Sequence, residues 1–146
     1  MANNCFYDLS VIGTRESVLR FRDILIGKDA IKLWRVWKED VDYEFHDNGN
    51  RLTANGDCAW CIDASFSYDG MYCPNGKPIK NPNMTDDVHN LSQISKELNL
   101  KIEIWGEEGM CMIWEHYLYD SGKEVLAKTY DQEPKDMYDF IIEHVA

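Results

Sequence analysis

Between residues 110 and 130 the chain reads MCMIWEHYLY, then Asp120-Ser-Gly-Lys123, then EVLAKTY. Two runs rich in aromatic and branched residues flank a short stretch whose Ser-Gly centre tolerates positive φ. This pattern predicts strands over 110–119 and 124–130 joined by a tight hairpin turn. A hairpin commits the chain to an antiparallel sheet, and the remaining residues must supply further strands and a layer to cover them.

The further strands are read from alternation with a period of two. In NCFYDLSVI (4–12), Cys5, Tyr7, Leu9 and Val11 alternate with Phe6, Asp8, Ser10 and Ile12. In VDYEFH (41–46), Val41, Tyr43 and Phe45 are predicted inward and Asp42, Glu44 and His46 outward. A strand is expected over 52–67, carrying the alternation of GDCAWCIDASF, and another over 100–105 with Leu100, Ile102 and Ile104 inside. GEEG (106–109) and DNGNR (47–51) read as turns.

Helical spacing appears in three places. Gly13 ends the first strand, Thr14 is placed to cap a helix with Glu16 in its first turn, and Val18, Phe21 and Leu25 form one apolar face before Gly27. Thr85 is expected to cap a second helix, with Asp86 and Asp87 in its first turn and Val88, Leu91, Ile94, Ser95 and Leu98 inward. Pro134 opens a third, in which Tyr138, Ile141, Ile142 and Val145 share a face. Residues 29–40 read as a short helix or an irregular connector, with Trp34 and Trp37 packed on the core. Residues 69–85, with three prolines, read as the longest loop and the most mobile segment. The order predicts an α+β fold in a single domain over 1–146: a ferredoxin-like split βαββαβ antiparallel sheet, extended by a C-terminal β-hairpin and a final helix. A chain of 146 residues buries roughly two thirds of its unfolded surface, so it needs no metal or disulfide to fold.

Charge narrows the partners. The chain has 26 acidic and 15 basic side chains, a net charge of −11. Residues 1–85 are nearly balanced, with 12 acids and 10 bases, whereas residues 86–146 carry 14 acids and 5 bases. Such a field disfavours direct nucleic-acid binding and anionic membranes, and it speeds encounter with a basic protein. The residues placed to form that docking surface are Glu103, Glu107, Glu108, Glu115, Asp120 and Glu124. No apolar run has membrane-spanning length, and MANNCFYD lacks a basic stretch followed by an apolar one, so a cytoplasmic protein is expected.

The reactive residues form no recognised constellation. Five cysteines and no secretory signal suit free thiols. Cys58-Ala-Trp-Cys61 is the one CxxC, and with Cys73 and His46 or His89 it sketches a zinc site. On a continuous strand, however, Cys58 and Cys61 point to opposite faces, so neither metal nor cofactor is expected. Glu115-His116 and Glu108 suggest acid–base work, but on a strand Glu115 and His116 also face apart, and His116 would need a partner such as Asp63 or His46. The chain has no GxSxG, phosphate loop, HExxH or dinucleotide fingerprint, so it is read as a non-enzyme. The alternative is a small-molecule or nucleotide-binding domain that uses Trp60, Trp105 and Trp114 as an aromatic pocket.

Three stretches carry a family resemblance. MANNCFYDLSVIG resembles the MANxCxNxLxVxG opening of the Api92-like (YubB-like) ferredoxin-fold proteins of phages, plasmids and bacterial islands. GDCAWC is similar to a GDCAW segment of that family, and LSQISKELNLKIEIWGEEGMCMIWEHYLYDSGK resembles its helix, strand, E-x-G-x-x-x-x-E-x-Y turn and hairpin. Asn4 and Cys61 stand where the family pattern has Trp and Ser. The resemblance implies a ferredoxin-like fold on a mobile genetic element and names no catalytic group. Together with the charge, it leads to the expectation of a non-enzymatic acidic interaction protein that docks on a basic nucleic-acid-handling host or defence protein such as a nuclease or a CRISPR effector, with inhibition of that partner as one outcome of docking.

Overall fold

The computed structural model describes residues 3–144. Strands β1 (Asn4–Ile12), β2 (Asp42–His46), β3 (Arg51–Ala59), β6 (Lys101–Glu108), β7 (Ile113–Asp120) and β8 (Lys123–Tyr130) form one six-stranded sheet in the order β2-β3-β1-β6-β7-β8. Every neighbouring pair in it is antiparallel. Helices α1 (Arg15–Leu25) and α2 (Leu91–Leu98) complete a mixed α+β architecture, and a small hairpin, β4 (Met71–Tyr72) with β5 (Ile79–Lys80), stands apart from the sheet. Among the described residues no helix is long and apolar enough to cross a membrane.

The alternation of β1 is the seed of the core. Cys5, Tyr7, Leu9 and Val11 are fully buried, as are Leu52 and Cys58 on β3 and Ile102 and Ile104 on β6. Val18, Phe21, Ile24 and Leu25 of α1 and Leu91, Ile94 and Leu98 of α2 close over this face. Thr14 Oγ1 accepts the Ser17 N–H at 3.2 Å and starts α1. The hairpin turn follows from two adjacent positive φ angles, Ser121 at +49° and Gly122 at +93°, the signature of the turn whose twist matches paired strands.

Several elements depart from expectation, each for a local reason. The strand expected over 52–67 ends at Ala59: Trp60 takes φ +67°, and residues 61–66 turn back over the sheet so that Ile62, Ser65 and Phe66 are buried. GEEG is not a turn. Gly106 lies in β6, paired with Tyr7 and Glu115, where Ile62 packs at the place its Cβ would take, and the turn falls at Gly109–Met112. The second helix is capped by Asn90, not Thr85. Asn90 Oδ1 accepts Gln93 N–H at 2.9 Å and Gln93 Oε1 accepts Asn90 N–H at 2.8 Å, a reciprocal box that outcompetes the upstream threonine. Val88 instead bridges to Lys32.

The final helix is replaced, among the described residues, by turns and one 3-10 turn at Ile141–His144; Val145 lies outside the described residues. This segment crosses the sheet face opposite the helices, where Phe140 and Ile142 are buried. Residues 29–40 form an irregular connector. Trp34 is half-buried there, but Trp37 is 39% exposed because it sits at the margin of the sheet and not over the core. Tyr43 and Phe45 share a face with buried Ala54 and Leu52 yet are 42% and 36% exposed, because β2 is an edge strand that α1 touches through Arg22 but does not cover.

Candidate functional site

The six carboxylates expected to front one docking surface are dispersed. Glu103, Glu108 and Glu115 are buried. Glu103 lies beneath the C-terminal segment, where Oε1 accepts Ile142 N–H at 2.9 Å, Oε2 accepts Ile141 N–H at 3.0 Å, and Oε2 lies 2.6 Å from His116 Nε2. Glu108 closes its own turn by accepting the N–H groups of Met110 (3.0 Å) and Cys111 (2.7 Å). Glu107 is half-buried and accepts the Tyr138 hydroxyl at 2.8 Å. Asp120 is half-buried and Glu124 exposed at the β7–β8 hairpin. Glu103, Glu108 and Glu115 therefore cannot contact a partner: each is committed to backbone donors of this chain.

His116 is a buried, bonded histidine whose partner is not one of the two weighed from the sequence. Its partner is Glu103, neither Asp63 nor His46, and the ring stacks on Trp105 with centroids 3.7 Å apart. The Trp105 indole N–H donates to Asp139 O at 3.3 Å. This cluster is sealed under the C-terminal segment, so it acts as a polar core. Trp105 and Trp114 are buried while Trp60 is 44% exposed, so the three tryptophans do not share a pocket.

The thiols are placed by the turn at Trp60. Cys58 is buried on β3 opposite Cys5, and Cys61 lies beyond the turn and off the strand. A hydrogen bond with the free thiol of Cys58, then burial, pushes the Cys5 thiol well up, and burial and Glu115 push Cys61 up to about 11. Among the described residues no group of three or more His, Cys, Asp or Glu is arranged to hold a metal ion.

A groove of about 580 Å³ brings aromatic and charged side chains together on the surface. It is lined by Trp34 and Arg35 of the connector, by Trp60, Asp63 and Ser67 after β3, and by Tyr68, Asp69 and Asn81 beyond. Its backbone is built with strain: Arg35 has φ +54° and Trp60 φ +67°, conformations that cost a side chain of this bulk about 1–3 kcal/mol each. Long-range bonds hold them. Trp60 N–H donates to Asn3 O at 2.7 Å, and Ala59 N–H donates to Arg35 O at 3.0 Å. Beneath, Glu115 Oε1 accepts Ile62 N–H at 2.7 Å, and Oε2 accepts Asp63 N–H at 3.0 Å and the Tyr117 hydroxyl at 3.1 Å. Burial raises the pKa of the Glu115 carboxyl although all three donors oppose the rise. Glu115 is thus a positioning residue for the turn that carries Asp63.

The rim combines aromatic faces with acids. Trp34 lies 5.9 Å from Tyr68, centroid to centroid, and the Arg35 guanidinium sits 5.6 Å over the Trp34 ring. Asp69 is occupied on one oxygen by Met71 N–H at 2.9 Å. Among the described residues no Lys or Arg forms an ion pair with Asp63 or Asp69. The sequence singles out Trp60 for an aromatic pocket, but assigns Trp34 to the core and Asp63 to His116, and gives no sign that the three line one groove. The alternation of GDCAWCIDASF hid the turn, and the lone positive-φ residues leave no compositional mark.

No protein-family model matches the chain, and no curated protein matches it. Among solved structures it is similar to the crystal structure of protein api92 from Yersinia pseudotuberculosis (DUF1281), with 18% identity and a TM-score of 0.38 over 80% of this chain and 31% of that one. The likeness is a distant structural one, and the chain spans about a third of the length of the structure it matches.

Proposed function

We propose that this protein is a binding module that acts by occupancy, not by chemistry, and that it docks a basic protein partner through the Trp60 groove. The observation that carries this reading is Trp60 itself: a 44% exposed indole held on left-handed backbone in the same groove as Asp63, whose carboxylate has no Lys or Arg ion pair among the described residues. Aromatic side chains fixed at a concave surface are the usual anchors of protein interfaces. Aromatic faces with adjoining carboxylates favour a Lys or Arg side chain through cation–π and charge attraction. The net charge of −11 adds long-range steering toward the same class of partner. A nucleotide is disfavoured in this groove because Asp63 and Asp69 would face its phosphates. The partner class remains a nucleic-acid-handling protein, whose phosphate-binding surface is basic.

The ferredoxin-like layout and kinship with the Api92-like family of mobile elements belong to the same proposal. The order β2-β3-β1-β6 around α1 and α2 supports the first, and the MANNCFYDLSVIG and GDCAWC stretches support the second.

The test is titration with an arginine-rich peptide, observing the Trp60 indole N–H by NMR. We expect that resonance to move on binding, Trp60→Ala and Asp63→Lys each to weaken binding by about tenfold or more, and added salt to weaken it further. Unchanged affinity in Trp60→Ala, or saturable binding of a nucleotide where the peptide fails, would overturn the reading.

A further inference from the structure

The sheet ends in β2, a short edge strand whose charges are Asp42 and Glu44. The strand reads Asp42-Tyr43-Glu44-Phe45-His46, with no Lys, Pro or bulge to blunt it. Among the described residues no backbone group of 42–46 bonds to another segment outside its pairing with β3. Two aromatic side chains, Tyr43 and Phe45, stand exposed on the helix side of this edge. They are held in place: the Arg22 guanidinium donates to the Tyr43 hydroxyl at 3.2 Å and lies 5.4 Å and 5.6 Å over the two rings. Beside them lies a shallow pocket of about 320 Å³ lined by Arg15, Leu19 and Phe45, with Leu19 44% exposed.

We propose that the occupant of this edge is a second copy of the same chain, paired β2 to β2 in antiparallel register about Glu44. The sequence of the strand is complementary to its own reverse. Centred on Glu44, the pairing sets Asp42 opposite the partner's His46 and Tyr43 opposite the partner's Phe45, each contact made twice by the two-fold axis. The aromatic pairs form on the helix side next to the Leu19 pocket, where cross-strand aromatic contacts stabilise a ladder. The acid–imidazole pairs form on the opposite face. The two copies of Glu44 meet at the axis on that same face, and their repulsion, with the five-residue length of the strand, makes the dimer concentration-dependent and not permanent.

The test is sedimentation velocity on the full chain from low micromolar to near-millimolar concentration. We expect a monomer–dimer equilibrium that Phe45→Lys weakens about tenfold. His46→Asp should weaken it by setting like charges opposite, the double exchange Asp42→His with His46→Asp should restore it, and Glu44→Gln should strengthen it. Register is read by cross-linking in a background with exposed Cys73 and Cys111 changed to Ser. Glu44→Cys should form an intermolecular disulfide readily, and Asp42→Cys should not, because residue 42 pairs with the partner's residue 46. A chain that stays monomeric throughout, a dimer indifferent to Phe45→Lys, or one in which Asp42→Cys cross-links and Glu44→Cys does not, would overturn the proposal.

Discussion

The two faces of the sheet are closed by different physics. Under α1 and α2 the face is closed mainly by hydrocarbon: Leu9, Val11, Leu52, Ile102 and Ile104 meet Val18, Phe21 and Ile94 with no exposure, and Glu115 is buried where the turn after Trp60 covers it. The opposite face is closed by residues 134–144, which form no regular helix among the described residues and hold on through polar bonds. Glu103 takes the Ile141 and Ile142 N–H groups, Glu107 takes the Tyr138 hydroxyl, and Glu143 is gripped by Arg51 at 2.7 Å and by Ser10 at 2.9 Å. Apolar packing is non-directional and spread over many atoms, whereas this second closure depends on a few acceptors. Losing one acceptor should release a segment, while losing one methyl cluster should weaken the whole.

The largest expected effect is at Glu103. Glu103→Ala leaves buried His116 and the Ile141 and Ile142 N–H groups without an acceptor, a loss of about 3–5 kcal/mol. Hydrogen exchange should show early opening at Ile141 and Ile142 before the core opens. Leu9→Ala on the other face should cost about 2–5 kcal/mol in urea unfolding, with all probes changing together and no selective opening at 141–142. If both variants unfolded in one uniform transition, the contrast between the faces would be lost.

Asp8 sharpens the comparison through pH. Burial, with the charge of Glu143, raises its pKa from 3.8 to about 6. The folded state therefore binds this proton more tightly than the unfolded one, so stability is highest below the unfolded value and falls as pH rises toward about 6. Asp8→Asn should remove that part of the fall and leave the variant more stable than the parent above pH 6, as measured by urea unfolding across a pH series. The smallest effect belongs to Tyr138→Phe, which removes one half-exposed hydroxyl bond to Glu107 and should cost about 1 kcal/mol, with faster exchange confined to the C-terminal segment.

Local chemistry made much of this fold legible. The alternation of 4–12, the Thr14 cap, Gly27 after α1 and the Ser121-Gly122 turn each act over a few residues, so their consequences are written where they stand. The candidate site was less legible. The sequence singles out Trp60, Trp34 and Asp63 for separate reasons and does not join them, because the groove depends on Asn3, Arg35 and Glu115, which are far from Trp60 in sequence.

The chain by itself thus determined an antiparallel sheet, its apolar face and two covering helices, because side-chain periodicity and capping are properties of neighbouring residues. Tertiary structure alone decided which polar residues face water. On the face opposite the helices, a glutamate at an outward position is identical in sequence whether solvent or another segment lies above it. Glu103 was buried by residues nearly forty positions later, and Glu115, on the helix side, by the turn after Trp60. The free energy of a carboxylate depends on the donors brought to it, and those donors arrive from elsewhere in the chain.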